Sequence, residues 1–418
     1  MNVKITPSVT GGEIRAIASK SVAHRMLICA AFAKNEAKIL CQDINEDIEA
    51  TARCLEAFGA RICRNGQYLS VRPVQKIEKN ALLDCGESGS TLRFILPVAA
   101  LLGAESSFAM RGRLPERPLS PLREELERLG VEFSPVGSNP MTIRGQVEAC
   151  EFYIRGDVSS QFISGLMLAL AVSGRAGRIN ILGELQSAPY IDITASVIRA
   201  FGGKVDFSDN VYAVDARDGL SVSGELFVEG DWSNAAFPLC LGALGKQSVT
   251  VTGLDRASCQ GDKYIVDILN SMGAATEWGE NSLTVHPSSL HSARIDASQI
   301  PDLVPVVSVL CALADGESVI FNAQRLRIKE SDRLLAVSRI LTDMGAEVDE
   351  LPDGLAIRGK KSLCGGQVAS FGDHRIVMSA AIASVRCDTD VEIVGAEAVS
   401  KSYPSFFRDM AALGMKSE

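Results

Sequence analysis

Residues 55–62 read LEAFGARI, and the same frame returns as LERLGVEF (126–133), IRAFGGKV (198–205), LNSMGAAT (269–276), LTDMGAEV (341–348) and MAALGMKS (410–417). The shared glycines stand at 59, 130, 202, 273, 345 and 414, spaced by 71, 72, 71, 72 and 69 residues. Each window reads as the end of an amphipathic helix that stops at a glycine and mostly gives way to a strand. Glycine tolerates the left-handed backbone that closes a helix, so its recurrence marks a boundary. Self-similarity at one period along a whole chain is the signature of a repeat architecture.

A second series interleaves with the first: KSVAHRMLICAAFA (from 20), GSTLRFILPVAALLG (from 89), SSQFISGLMLALAV (from 159), WSNAAFPLCLGALG (from 232), PDLVPVVSVLCALADG (from 301) and DHRIVMSAAIASV (from 373). Each begins polar and then turns apolar on every side, which describes a buried helix. Every unit therefore holds a buried helix, a strand, an exposed helix and further strands, among them SVTVTGL (248–254), DVEIVGA (390–396) and KVDFSDNVYAV (204–214). Six such units rule out a simple two-layer sandwich. Normal domain size favours two lobes of three units over one closed ring. The switch falls near GELFVEGDW (224–232), where short connections predict a hinge.

The bulk composition narrows the function. The chain has 418 residues, 46% apolar, and a net charge of −9, which argues against a nucleic-acid or membrane-surface protein. No apolar run reaches a membrane span, and MNVKITPSVTGGEIRAI lacks the apolar core of a signal peptide. Eleven cysteines with no CxxC pair read as reduced thiols in a cytoplasmic protein, without zinc or disulfides. Four histidines make a histidine-rich metal centre a poor reading.

Inside this acidic chain, RLRIKESDR (325–333) packs four bases into nine residues. As a helix it would stack Arg325, Lys329 and Arg333 along one face, where they repel. The buried helices carry polar residues at their N-termini: Lys20, Ser21 and Arg25; Ser90 and Arg93; Ser159, Ser160 and Gln161; Asp302; and Asp373, His374 and Arg375. Bases there oppose the helix dipole, a cost that bound anions would offset. Counted back from the repeat glycines, Arg117, Arg333 and Lys401 lie 13, 12 and 13 residues upstream, at equivalent junctions. Such an excess of cations around Asp302 and Glu330 predicts group transfer between phosphorylated, carboxylated small molecules in a cleft between the lobes. A Walker motif and an acidic cluster for Mg²⁺ are both missing from the sequence, so no cofactor is expected.

SKSVAHR (19–25), GESGSTLRF (86–94), LPERPLSPL (114–122), DVSSQFISGL (157–166), SAPYIDIT (187–194), LRIKESDRL (326–334), GDHR (372–375) and KSYPSFF (401–407) together resemble the 5-enolpyruvylshikimate-3-phosphate synthase family, in the family's order and along nearly the whole chain. The resemblance implies an α/β (α+β) enolpyruvyl transferase fold of six βαβαββ repeats, three per lobe. A C-terminal lobe (1–18 plus 229–418) and an N-terminal lobe (19–228) would meet at hinges near 15–20 and 224–232. It implies transfer of the enolpyruvyl group of phosphoenolpyruvate to the 5-hydroxyl of shikimate 3-phosphate, by a cytoplasmic monomer on the route to chorismate. Shikimate 3-phosphate would meet Lys20, Ser21, Arg25, Ser159, Ser160, Gln161, Ser187, Tyr190, Asp302 and Lys329. Phosphoenolpyruvate would meet Lys20, Gly89, Arg117, Gln161, Arg333, Arg375 and Lys401. The resemblance makes Asp302 the base for the 5-hydroxyl and Glu330 the proton carrier at C3, with Lys20 and Lys401 assisting, while Arg93 and Asp373 brace. Gly89 fits the glyphosate-sensitive pattern, so glyphosate is expected to inhibit.

The chain departs from the family pattern at His24, often asparagine, at Ser90, often threonine, and at Arg325, asparagine in some relatives. Arg325 and Arg327 are read as the solvated part of their stretch. Two other readings compete. A UDP-N-acetylglucosamine enolpyruvyl transferase carries a cysteine in the loop that here reads RGRLPERPL (111–119), without one. A non-catalytic binding protein would not need Asp302 or Glu330 among cations. Repulsion between cations of the two lobes predicts an open ligand-free state that closes on anions.

Overall fold

The computed structural model describes residues 1–418. Twelve α-helices alternate in character along the chain: α1 (Lys20–Ala31), α2 (Glu46–Ala57), α3 (Gly89–Leu102), α4 (Leu122–Arg128), α5 (Ser160–Val172), α6 (Ala188–Ala200), α7 (Trp232–Leu244), α8 (Ile265–Ser271), α9 (Val304–Ala312), α10 (Arg333–Asp343), α11 (His374–Ala383) and α12 (Phe406–Ala412). The odd-numbered helices are buried along almost their whole length, and the even-numbered ones bury a single face. All six repeat glycines that follow the even helices have left-handed φ, between +85° and +108°. The residue after each glycine donates its N–H back to the first residue of the quoted window: Ala60 to Leu55, Val131 to Leu126, Gly203 to Ile198, Ala274 to Leu269, Ala346 to Leu341 and Met415 to Met410. This closing bond satisfies a carbonyl the helix leaves open, and it explains why the windows recur.

Each repeat adds one four-stranded sheet. In the third, Glu151–Arg155 runs parallel to Ala176–Leu182, and the hairpin of Lys204–Ser208 and Val211–Asp215 completes the sheet. The hairpin turns on Asp209 and Asn210, both at positive φ, as a two-residue loop between twisted strands requires. The same order recurs in all six sheets. Two sheets in the region spanning 229–418 are completed from the N-terminus. β1 (Asn2–Thr6) lies between Val391–Val394 and Lys416–Ser417, and β2 (Gly12–Arg15) runs parallel to Val249–Thr252. The first repeat takes its edge strand from Glu225–Phe227, far down the chain.

The chain forms two compact units, a C-terminal lobe of residues 1–17 and 229–418 and an N-terminal lobe of residues 18–228. Each has its own apolar core, centred on α7, α9 and α11 in one and on α1, α3 and α5 in the other. Packing is close enough to dictate residue size. A Cβ on Gly165 of α5 would sit 2.2 Å from the carbonyl of Arg93 and 2.9 Å from the ring of Pro97 in α3. Pro97 has no N–H to offer the Arg93 carbonyl four residues back, so that oxygen is available to face α5. No helix is long and apolar enough to cross a membrane.

Candidate active site

In the N-terminal lobe the polar residues gather at the N-termini of α1, α3, α5 and α6. Ser159 caps α5, its hydroxyl accepting from the Gln161 N–H at 3.3 Å, and Ser160 begins the helix, buried. The Gln161 amide reaches the Ser90 hydroxyl of α3 at 3.0 Å, so residues one repeat apart in sequence touch. Lys20 pairs with Asp47 in the first turn of α2 at 2.8 Å. Arg25 is buried and ties its own helix α1 to α6. Its Nε donates to Thr194 Oγ1 at 2.6 Å, its Nη1 to the Ser21 carbonyl at 2.6 Å, and its Nη2 to the Tyr190 carbonyl at 2.9 Å. The guanidinium also lies over the Phe94 ring, 4.7 Å from its centroid.

Two backbone positions shape this region. Ser187, before α6, holds a left-handed φ of 55° and is buried. Such a conformation costs a non-glycine residue on the order of 1 kcal/mol and persists where surrounding contacts impose it. Gly89 opens α3, and a Cβ there would lie 2.6 Å from Arg117 Nη1 and 2.5 Å from Arg93 Nη1. The missing side chain is what lets two guanidiniums close on one helix N-terminus. Arg93 donates to the Pro118 carbonyl at 3.2 Å, which ties the loop carrying Arg117 to α3.

In the C-terminal lobe the acids and bases interlock. Arg333, the first residue of α10, is 1% exposed and holds three carboxylates: Asp302 at 2.7 Å, Glu330 at 2.8 Å and Asp373 at 2.8 Å. Asp373 also caps α11, accepting the Arg375 N–H at 2.9 Å, and takes the Ser331 hydroxyl at 3.0 Å. Arg375 reaches Asp302 at 3.2 Å and Ser233 of α7 at 2.7 Å. Lys401 donates to the Gly372 carbonyl at 3.0 Å, beside the start of α11. Burial raises the Asp302 carboxyl, but Arg375, Lys329 and Arg333 outweigh it and hold the group well below the usual carboxylate range. Burial pulls the Lys329 ammonium down to about 8, with Asp302 acting against that fall. Burial also opposes charge on Arg333, and Asp373, Glu330 and Asp302 overcome it and raise its affinity for the proton.

The stretch Arg325–Arg333 is not one helix. Gln324–Ile328 forms a 3-10 turn, Lys329 leaves it extended, and α10 starts at Arg333 under an Asp332 cap. The three cations therefore never stack on one face. Arg325 and Arg327 are not the solvated part either. Arg325 is 9% exposed and donates to the Ser298 carbonyl, and Arg327 pairs with Asp332 and Glu350. Carboxylates, not only prospective ligands, relieve the repulsion. The junction match also shifts. Arg117 and Lys401 stand at the ends of 3-10 turns before α4 and α12, and the residue in that place before α10 is Lys329. Counting from the glycine selects Arg333 because α10 has eleven residues where α4 and α12 have seven. Sequence reasoning missed Asp47, Thr194, Ser164, Ser233 and Ser331. An acid in a first helical turn such as Asp47 is ordinary dipole chemistry and carries no local signal of its lysine partner.

Residues 5–410 match the family EPSP synthase (3-phosphoshikimate 1-carboxyvinyltransferase). The chain belongs to the EPSP synthase family. A 3-phosphoshikimate 1-carboxyvinyltransferase of Clostridium kluyveri is 42% identical over 414 residues, covering 99% of this chain and 97% of the relative. One from Clostridium perfringens is 42% identical over 422 residues, covering 99% and 98%. Among solved structures, the EPSP synthase of Acinetobacter baumannii aligns with a TM-score of 0.82 at 23% identity, over 100% of this chain and 99% of the other. The enolpyruvyl transferase NikO of Streptomyces tendae aligns with a TM-score of 0.79 at 15% identity, over 100% and 98%. These two bear on the fold alone, and they agree with the six-sheet architecture of an EPSP synthase family member. Family membership does not favour the UDP-N-acetylglucosamine reading, nor that of a non-catalytic binding protein.

Proposed function

We propose that this protein transfers the enolpyruvyl group of phosphoenolpyruvate to the 5-hydroxyl of shikimate 3-phosphate, releasing phosphate, as the penultimate step to chorismate. The observation that carries the chemistry is the C-terminal-lobe cluster. One buried guanidinium holds Asp302, Glu330 and Asp373, with Arg375 and Lys329 beside Asp302. The reaction needs a base for the hydroxyl proton, an acid for C3, and cations for two carboxylates and two phosphates. In this reading the O5–C2 bond forms as Asp302 takes the hydroxyl proton and Glu330 protonates C3, assisted by Lys20 and Lys401. The resulting tetrahedral ketal then loses a C3 proton and phosphate to leave the enol ether.

The electrostatics suit a base that is switched on by its substrates. Without ligand, Asp302 is held too acidic to accept a proton well. The anions of phosphoenolpyruvate and shikimate 3-phosphate would offset Arg375, Arg333 and Lys329, and so raise Asp302 as the complex forms. In the same reading Ser21, Arg25, Ser159, Ser160 and Ser187 take the shikimate phosphate. Gln161, Tyr190, Asp302 and Lys329 take its ring and carboxylate, and Lys20, Gly89, Arg117, Gln161, Arg333, Arg375 and Lys401 take phosphoenolpyruvate. The buried Ser160 and the left-handed Ser187 support a preformed phosphate cradle. Arg25 supports it from behind through the Ser21 and Tyr190 carbonyls. The protein acts here as a cytoplasmic monomer without a cofactor, and glyphosate competes with phosphoenolpyruvate near Gly89. Steady-state phosphate release with shikimate 3-phosphate tests this. Glyphosate should raise the apparent KM for phosphoenolpyruvate, and turnover that ignores saturating glyphosate would refute that part.

A further inference from the structure

We propose that His24 is a positioning residue for the phosphoenolpyruvate half of the site, acting through a buried hydrogen-bond chain that ends on the N-cap of α3. The inference rests on the function proposed above. His24 Nδ1 lies 2.7 Å from Thr51 Oγ1 of α2, Thr51 Oγ1 lies 2.7 Å from Thr91 Oγ1 of α3, and Thr91 Oγ1 lies 2.8 Å from Ser88 Oγ. Ser88 caps α3 by accepting the Thr91 N–H at 3.3 Å. All four residues are buried, at 1%, 0%, 0% and 1% exposure. The chain joins three helices from two repeats.

The direction of the chain follows from its ends. Burial first, then the charges of Lys20 and Arg25, hold the His24 pKa well below the ordinary histidine range, so the ring is neutral and has one N–H. Its Nε2 is buried without a hydrogen-bond partner. A bare lone pair is tolerated there better than an orphaned N–H, which puts the proton on Nδ1. Nδ1 then donates to Thr51, Thr51 to Thr91, and Thr91 to Ser88, with the Asp47 carbonyl as a second acceptor at 3.4 Å. The acceptor end of the chain branches at Thr91 to two residues beside proposed phosphoenolpyruvate contacts. Asp47 holds Lys20 at 2.8 Å, and Ser88 precedes Gly89, against which Arg117 is packed. Arg25 joins a different network, through Thr194 and Ser164, on the side assigned to the shikimate phosphate. Gly89 and Arg117 are assigned to phosphoenolpyruvate alone, so a fault in the His24 chain should register chiefly on that substrate.

The test compares wild type, His24→Leu, His24→Asn and Thr91→Val by the KM for each substrate. Thr91→Val, which strands the Thr51 O–H, should raise the KM for phosphoenolpyruvate by about tenfold, His24→Leu, which removes the donor that orients Thr51, should raise it by about threefold, and both should leave that for shikimate 3-phosphate within about twofold. His24→Asn should restore the wild-type value, because the asparagine Nδ2 donor occupies the place of the histidine Nδ1. Thr91→Val keeps its shape, so it carries the test if His24→Leu fails to fold. Nitrogen-15 spectra of the wild-type ring should show Nδ1 protonated. Equal shifts in both KM values, no shift in either variant, or a proton on Nε2 would overturn the inference. A wild type without turnover would defeat the function reading alone, and the ring spectrum would still decide the chain.

Discussion

A guanidinium at 1% exposure keeps its charge only where other groups replace its lost water, and three carboxylates do this for Arg333. The consequence falls on its neighbours. Asp302 shares its cations and becomes strongly acidic, while Lys329, half-buried without a paired carboxylate in hydrogen-bond contact, drops to about 8. The sign for stability follows from proton counting. Between about 8 and the ordinary 10.5 the unfolded chain holds more protons on Lys329 than the folded one, so this group's share of stability rises with pH across that window. Ligand affinity should move the opposite way. Shikimate 3-phosphate binding, followed by calorimetry, should weaken as pH rises through about 8, and Lys329→Arg should remove that inflection. An inflection unchanged in Lys329→Arg would reassign it. The bases and acids of RLRIKESDR were legible in the sequence, but their pairing was not. Asp302 and Asp373 reach Arg333 from 31 and 40 residues away, and no local pattern encodes such contacts.

At the scale of the element, helices are the best-read part of the chain, because both signals that define them are local. The apolar runs marked α1, α3, α5, α7, α9 and α11, and the glycines marked the ends of the even helices. What local pattern could not supply was the start of α10, where an Asp332 cap adds a turn and moves Arg333 off the junction occupied by Arg117 and Lys401. Helix contact is also invisible locally, though small residues hint at it. Gly165→Ala should push α5 away from the Arg93 carbonyl, 2.2 Å from the new Cβ, and cost about 2 kcal/mol. Calorimetric unfolding reads this as a lower Tm, and an unchanged Tm would mean the helices separate freely.

At the scale of the molecule, the two lobes differ in how they are closed. The N-terminal lobe is continuous from 18 to 228, and its three sheets use only its own strands, including Glu225–Phe227. The C-terminal lobe borrows β1 and β2, and β1 stands inside a sheet between two partners. The assignment of residues 1–18 to the C-terminal lobe came from the family resemblance alone, and the pairing of β1 and β2 was not legible, since strand sequence does not name its neighbour. A fragment of residues 18–228 should melt in one cooperative transition, whereas residues 229–418 alone should not. Cooperative melting of 229–418 without β1 would contradict that assignment.

The most direct measurement of the central claim is turnover of phosphoenolpyruvate with shikimate 3-phosphate in D₂O, read by proton NMR and mass spectrometry of the product. Protonation of C3 and its later reversal should leave deuterium in the vinyl methylene of an enol ether on the 5-oxygen, with phosphate released in equal amount. Glu330→Gln should form almost none while still binding both substrates. A product without deuterium, or phosphate release that needs UDP-N-acetylglucosamine in place of shikimate 3-phosphate, would contradict the account.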